Sequence, residues 1–160
     1  MVHGHGITYL YEMISSRVFL SAFFSWFLAQ GIKVLVDGVR GRSHGSHDMV
    51  ATLFWRTGGM PSSHSSMVTA LATSIGFSYG VSSPIFTLSL FYGILIIRDA
   101  LGVRRAAGVQ AQVLNKLGAQ LARGGLADFE PVKEVVGHTP SEVSVGVLLG
   151  FFVGIAFSVL

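Results

Sequence analysis

Gly58-Gly59-Met60-Pro61-Ser62-Ser63-His64-Ser65-Ser66 separates a polar loop from a long uncharged run. Two glycines and a proline break any helix here. Ser65 to Val81 then carries no charge and reads as a helix, with Ser62 or Ser63 as N-cap and His64 near its start. Backbone N–H groups at such a helix start lack intrahelical acceptors and attract anions such as phosphate. A serine hydroxyl adds a donor, and a histidine adds a group that moves a proton near neutral pH. Taken alone, the stretch reads equally well as a capped helix with a histidine at its surface.

The rest of the chain supplies the setting. Of 160 residues, 51% are hydrophobic and 12% charged, about half the charged fraction of a soluble domain. Mean hydropathy is +0.61. The chain therefore reads as one membrane-embedded domain over residues 1–160. The absence of cysteine excludes disulfides, a thiolate nucleophile and thiolate metal sites. A net charge of +3 fits loops and lipid headgroups better than nucleic acid. Met1 to Gly6 has no basic region before an apolar stretch, so a cleaved signal peptide is not expected.

Outward from the central stretch, four segments read as spans: Val18–Val36, Ser65–Val81, Pro84–Ile97 and Glu142–Leu160. Ile7–Ser16 suits a short interfacial helix with tyrosine anchors. Ala106–Leu121 is amphipathic, with Val109, Val113, Leu117 and Leu121 recurring every four residues. Gly146, Gly150 and Gly154 form a small-residue face suited to close helix packing, either within the bundle or between copies of the chain. His44 and His47 have metal-like spacing, but the Gly-rich setting offers no further ligands. The expected fold is all-α, a small bundle of about four transmembrane helices plus an amphipathic helix.

Alternating the spans across a membrane gathers the polar residues. Lys33, Ser62, His64, Arg98, Asp99, Arg104, Arg105, His138 and Glu142 all fall at one face, although they are more than a hundred residues apart in the chain. An Arg98-Asp99 pair at the end of a span is expensive unless it is paired or lines a polar cavity. Ten of the eleven Lys and Arg residues belong to that face, and only Arg17 to the other. The positive-inside rule then places the polar face in the cytoplasm.

Gly137-His138-Thr139-Pro140-Ser141-Glu142 repeats the logic of the first motif. Thr139 suits an N-cap, Pro140 the first helical position and Glu142 the capping-box position. His138 and Glu142 are four apart, close enough for the carboxylate to fix the ring tautomer and leave the other nitrogen to attack. The alternative is that Glu142 only caps the helix. Two histidines, several cations and two helix starts suit phosphoryl transfer. No Walker-type loop or carboxylate cluster points to a Mg²⁺ site, and no cofactor is expected.

Pro61-Ser62-Ser63-His64 resembles the Pro-Ser-Gly-His motif of the type 2 phosphatidic acid phosphatases, relatives of the vanadium haloperoxidases, and His138-x-x-x-Glu142 resembles their His-x-x-x-Asp. Gly-Gly-Met-Pro-Ser-Ser-His-Ser, Asp-Ala-Leu-Gly-Val-Arg-Arg-Ala-Ala-Gly and Gly-His-Thr-Pro-Ser-Glu-Val are similar to the divergent branch of that family. The resemblance implies that His138 is a nucleophile forming a phosphohistidine, Glu142 orients it and His64 is the general acid. It implies phosphate binding by Lys33, Ser62 and the Ser63 N–H. Lys33 and Arg40 keep the first motif's spacing, but Gly41 follows where proline is expected. The arginine expected six residues before His138 is Val132, so Arg104 or Arg105 must supply that charge.

The resemblance implies a metal-independent lipid phosphate phosphatase of the bacterial inner membrane. Its substrate would be phosphatidate, phosphatidylglycerophosphate or a polyprenyl phosphate. Two other readings use the same residues differently. A phosphate- or headgroup-binding protein, or a transporter component, keeps the cations without needing both histidines. A structural protein assembles into a homo-oligomer through Gly146, Gly150 and Gly154.

Overall fold

The computed structural model describes residues 3–39, 59–125, 128–134 and 137–160. They form six helices: α1 (His3–Ser15), α2 (Arg17–Val39), α3 (Ser63–Tyr79), α4 (Pro84–Leu101), α5 (Val103–Arg123) and α6 (Pro140–Val159). No strand occurs among the described residues. Among the described residues, three stretches are long and apolar enough to cross a membrane: α2, the run that begins with α4, and α6. The remaining expected span, α3, has 17 residues. At about 1.5 Å per residue it is roughly 26 Å long, a little short of the hydrocarbon core. It is nevertheless the centre of the bundle, packed by α2, α4 and α6.

This centre is polar and small rather than greasy. Ser63, Ser65, Ser66, Ala70 and Ser74 of α3 are buried, as are Ser21 and Ser25 of α2. Phe19, Phe23 and Phe27 lie on the outward face of α2. In lipid, apolar side chains gain nothing by turning inward, so small residues go inside, where backbones approach closely. Ser25 and Ser66 share a hydroxyl hydrogen bond of 2.6 Å between α2 and α3.

The glycines of α6 serve the same contact. A Cβ at Gly146 would overlap the Ser62 carbonyl oxygen, one at Gly150 the Ser66 carbonyl oxygen, and one at Gly154 would come within 2.7 Å of Thr73 Cβ. The small-residue face offered as a contact between copies is therefore filled by α3 of the same chain.

The ends of the helices confirm an up-and-down order. Arg17 at the start of α2 donates to the Ser158 carbonyl at the end of α6, at 3.3 Å. Gly80, with φ 84°, closes α3. Ser83 caps α4 ahead of Pro84, as the turn chemistry of that stretch requires. Gly102 then both ends α4 and heads α5. The amphipathic helix thus starts at Val103 rather than Ala106, directly on the end of a span.

The connector after α5 is not a loose tether. Asn115 donates to the Val132 carbonyl at 2.9 Å and accepts from the Val132 N–H at 2.8 Å. It also donates to Glu134 at 2.9 Å. The ring of Phe129 lies so close over Gly118 that no Cβ fits there. Residues 128–134 form a strap along one side of α5.

Candidate active site

The site is built where α2 ends, α3 begins, α4 ends and α6 begins. Ser62 caps α3: its Oγ accepts from the Ser65 N–H at 3.4 Å and from the Ser65 hydroxyl at 2.9 Å. Ser63 and His64 are the first two helical residues, so their N–H groups belong to the turn that has no intrahelical acceptor. Ser62 and Ser63 are buried, and His64 is exposed. Gly59, at φ 88°, sits against the Lys33 stem; a Cβ there would lie 3.6 Å from Lys33 Cγ. Lys33 itself is buried at the end of α2.

The second motif docks on both neighbours through backbone. His138 N–H donates to the Ala100 carbonyl at 3.3 Å, and Ser62 N–H donates to the Glu142 carbonyl at 3.0 Å. Thr139 and Glu142 form the capping box that heads α6, as the sequence anticipates. One carboxylate oxygen does two jobs. Glu142 Oε2 accepts from the Thr139 N–H at 3.0 Å and lies 3.2 Å from His138 Nδ1. The cap bond and the contact with His138 thus share one oxygen and do not exclude each other. A proton on His138 Nδ1 would be held by this carboxylate, and the Nε2 of that tautomer keeps its lone pair.

Electrostatics tie the parts into one cluster. His64 feels the charges of Arg104, His138 and Lys33. His138 feels Glu142, Lys33 and Arg104. Burial holds the His138 imidazole below the ordinary histidine value; the Glu142 hydrogen bond and charge oppose this, and Lys33 and Arg104 add to it. Neutral His138 is the form in which Nε2 has a lone pair.

The two arginines that follow the break at Gly102 differ in their surroundings. Arg104 is the arginine whose charge reaches both histidines. Its Nε donates to Asp99 Oδ2 at 2.6 Å across that break. The ion pair at the end of the span therefore joins Asp99 to Arg104, not to Arg98. Arg98, Arg104 and Arg105 are all exposed. The backbone and Cβ of Arg105 pack against Gly137, just before the second motif's histidine, so closely that no Cβ fits there. Arg40, His44, His47 and Gly58 lie outside the described residues.

Sequence reasoning missed the Ala100 carbonyl as the anchor of His138 and the Asn115 strap. The first is a backbone group and leaves no side-chain signal. The second had one in an asparagine on an amphipathic helix, ahead of a connector with matching length. Among the described residues no three His, Asp or Glu side chains come together as a metal site.

The model of the Divergent PAP2 family matches residues 14–153. An uncharacterized membrane protein of Bacillus subtilis, YuiD, is 37% identical over 150 residues, covering 87% of this chain and 92% of the relative. No solved structure matches the chain.

Proposed function

We propose, on the premise that this chain belongs to the Divergent PAP2 family, that it is a metal-independent lipid phosphate phosphatase working through a phosphohistidine. The observation that carries the reading is the 3.2 Å contact of His138 Nδ1 with Glu142, beside His64 and the charges of Lys33 and Arg104. In the first step His138 Nε2 attacks the phosphorus of the lipid phosphate. The phosphorus–oxygen bond to the lipid breaks, and His64 gives its proton to the leaving oxygen. In the second step a water, deprotonated by His64, attacks the phosphohistidine. The P–N bond breaks, inorganic phosphate leaves and His138 is restored. Lys33, Arg104 and the N–H groups at the start of α3 offset the charge of the equatorial oxygens.

The chain is an integral membrane protein. The Lys and Arg bias toward the site's face supports a cytoplasmic site in a bacterial inner membrane. The substrates to test are phosphatidate, phosphatidylglycerophosphate and polyprenyl phosphate or diphosphate.

The test is phosphate release from these lipids by the protein reconstituted in vesicles, with and without a chelator. Wild type should release phosphate with the chelator present and trap an acid-labile phosphoenzyme. His138→Ala should do neither. Equal turnover by His138→Ala sinks the phosphohistidine mechanism. Phosphate binding without turnover by the wild type favours a headgroup-binding protein.

A further inference from the structure

Helix α5 stands apart from the bundle. Among the described residues its only helical neighbour is α4, from which it continues across Gly102. The strap covers one side of it, at Asn115 and Gly118. Val109, Val113 and Leu117 on another side are 54%, 59% and 52% exposed. At about 100° per residue these three, with Leu121, form a stripe that begins roughly 60° from the strap at Gly118 and runs away from it. Arg105, Lys116 and Arg123 are separated by 11 and 7 residues. That spacing puts them in one row within about 40° of the other edge of the stripe.

We infer that α5 lies in the plane of the membrane interface, its Val109/Val113/Leu117/Leu121 stripe in the acyl layer and Arg105, Lys116 and Arg123 on anionic lipid headgroups. Two observations select the bilayer as occupant. The helix continues directly from a membrane span that ends at Leu101, so it begins at the membrane surface. Its apolar stripe is bordered by cations whose stems can reach along apolar surface while the charges meet lipid phosphates. The strap then faces water. This placement also explains why adjacent arginines part company: one helical step of about 100° sends Arg104 to the histidines and Arg105 to the lipid edge. The inference depends on the span and the helix, not on catalysis.

The chain has no cysteine, so single-cysteine variants can carry nitroxide labels without a background. Val113→Cys, Leu117→Cys, Gln112→Cys and Ala119→Cys would be labelled in vesicles of phosphatidylcholine with phosphatidylglycerol. Collision with oxygen and with a water-soluble nickel chelate would then be read. Positions 113 and 117 should favour oxygen, and positions 112 and 119 the nickel chelate. Replacing phosphatidylglycerol by phosphatidylcholine should move label 117 toward water. Nickel access at 113 and 117 equal to that at 112 and 119 overturns the placement. So does low access to both reagents, which means the chain covers its own stripe, and so does disulfide cross-linking between copies at 117, which makes the face a protein interface. An unchanged depth at 117 without anionic lipid overturns the headgroup contact.

Discussion

The backbone N–H of Ser62 donates to the carbonyl oxygen of Glu142 at 3.0 Å, tying the two histidine motifs together across eighty residues of chain. The bond lies at the α3–α6 contact, where Gly146 lets the helices approach until Ser62 and α6 touch. Position in the site is thus set by backbone, and side chains act on a fixed frame.

Glu142 should be needed for rate more than for binding. Its Oε2 holds both the Thr139 N–H and His138 Nδ1. Glu142→Ala should lower kcat by about 100-fold or more with little change in KM, as for loss of a group that orients a catalytic base or nucleophile. The lost capping box should also lower stability by about 1 kcal/mol. Glu142→Asp should restore part of the rate. Steady-state kinetics alongside a thermal melt in detergent separate the two effects.

Arg104 and Arg105 should differ sharply. Arg104→Gln removes the charge that reaches both histidines and should cost about 100-fold in kcat/KM, the scale of one lost charge-stabilising donor. Arg105→Gln should leave turnover near wild type. Asp99→Asn should fall between them, because it frees Arg104 from its 2.6 Å partner without removing it. Similar losses for both arginines would contradict the assignment.

Gly150→Leu should destabilise the monomer itself. Even a Cβ overlaps the Ser66 carbonyl oxygen, so α3 and α6 must separate. A cost of about 2 kcal/mol or more is expected, at the upper part of the overpacking range. The measurement is unfolding in detergent followed at several protein concentrations. A loss that depends on concentration would point to a contact between copies instead.

The Ser25–Ser66 bond should be worth less than its length suggests. Interhelical hydrogen bonds in membranes average about 0.6 kcal/mol, because the unfolded helices in lipid also find partners. A double-mutant cycle with Ser25→Ala and Ser66→Ala should return a coupling of that order. A coupling near zero would leave the 2.6 Å contact without energetic weight.

Acid should weaken the protein through His138. Its folded-state pKa lies below the unfolded value of about 6.5. The unfolded chain therefore binds more protons in the window between the two. The His138 contribution is fully present above about pH 6.5 and is lost as pH falls through the folded pKa. If His138 is the nucleophile proposed above, the acid limb of kcat/KM should likewise lie below about pH 6.5, because only an unprotonated Nε2 can attack. His138→Gln should remove this dependence of stability, measured by melts between pH 5 and 8.

Much of the molecule was legible in order. Long uncharged runs with few polar residues can only be spans, because unpaired polar groups are costly in lipid. Caps and turns follow from local chemistry, which is why Thr139-Pro140-Ser141-Glu142 read correctly as a helix start. Alternation of spans then brought Lys33, His64, Arg104 and His138 to one end without any distance being known. Which arginine faces the histidines was not legible. It depends on how α5 leaves α4 at Gly102, a backbone direction that neighbouring arginines do not encode. The partner of the glycine stripe was not legible either, since small residues permit close approach without naming what approaches. Composition and periodicity determined a helical membrane protein with two capped histidine motifs. Tertiary structure alone decided that Ser62 meets Glu142, that Asp99 holds Arg104 and that α3 fills the glycine face, because each joins residues through space rather than along the chain.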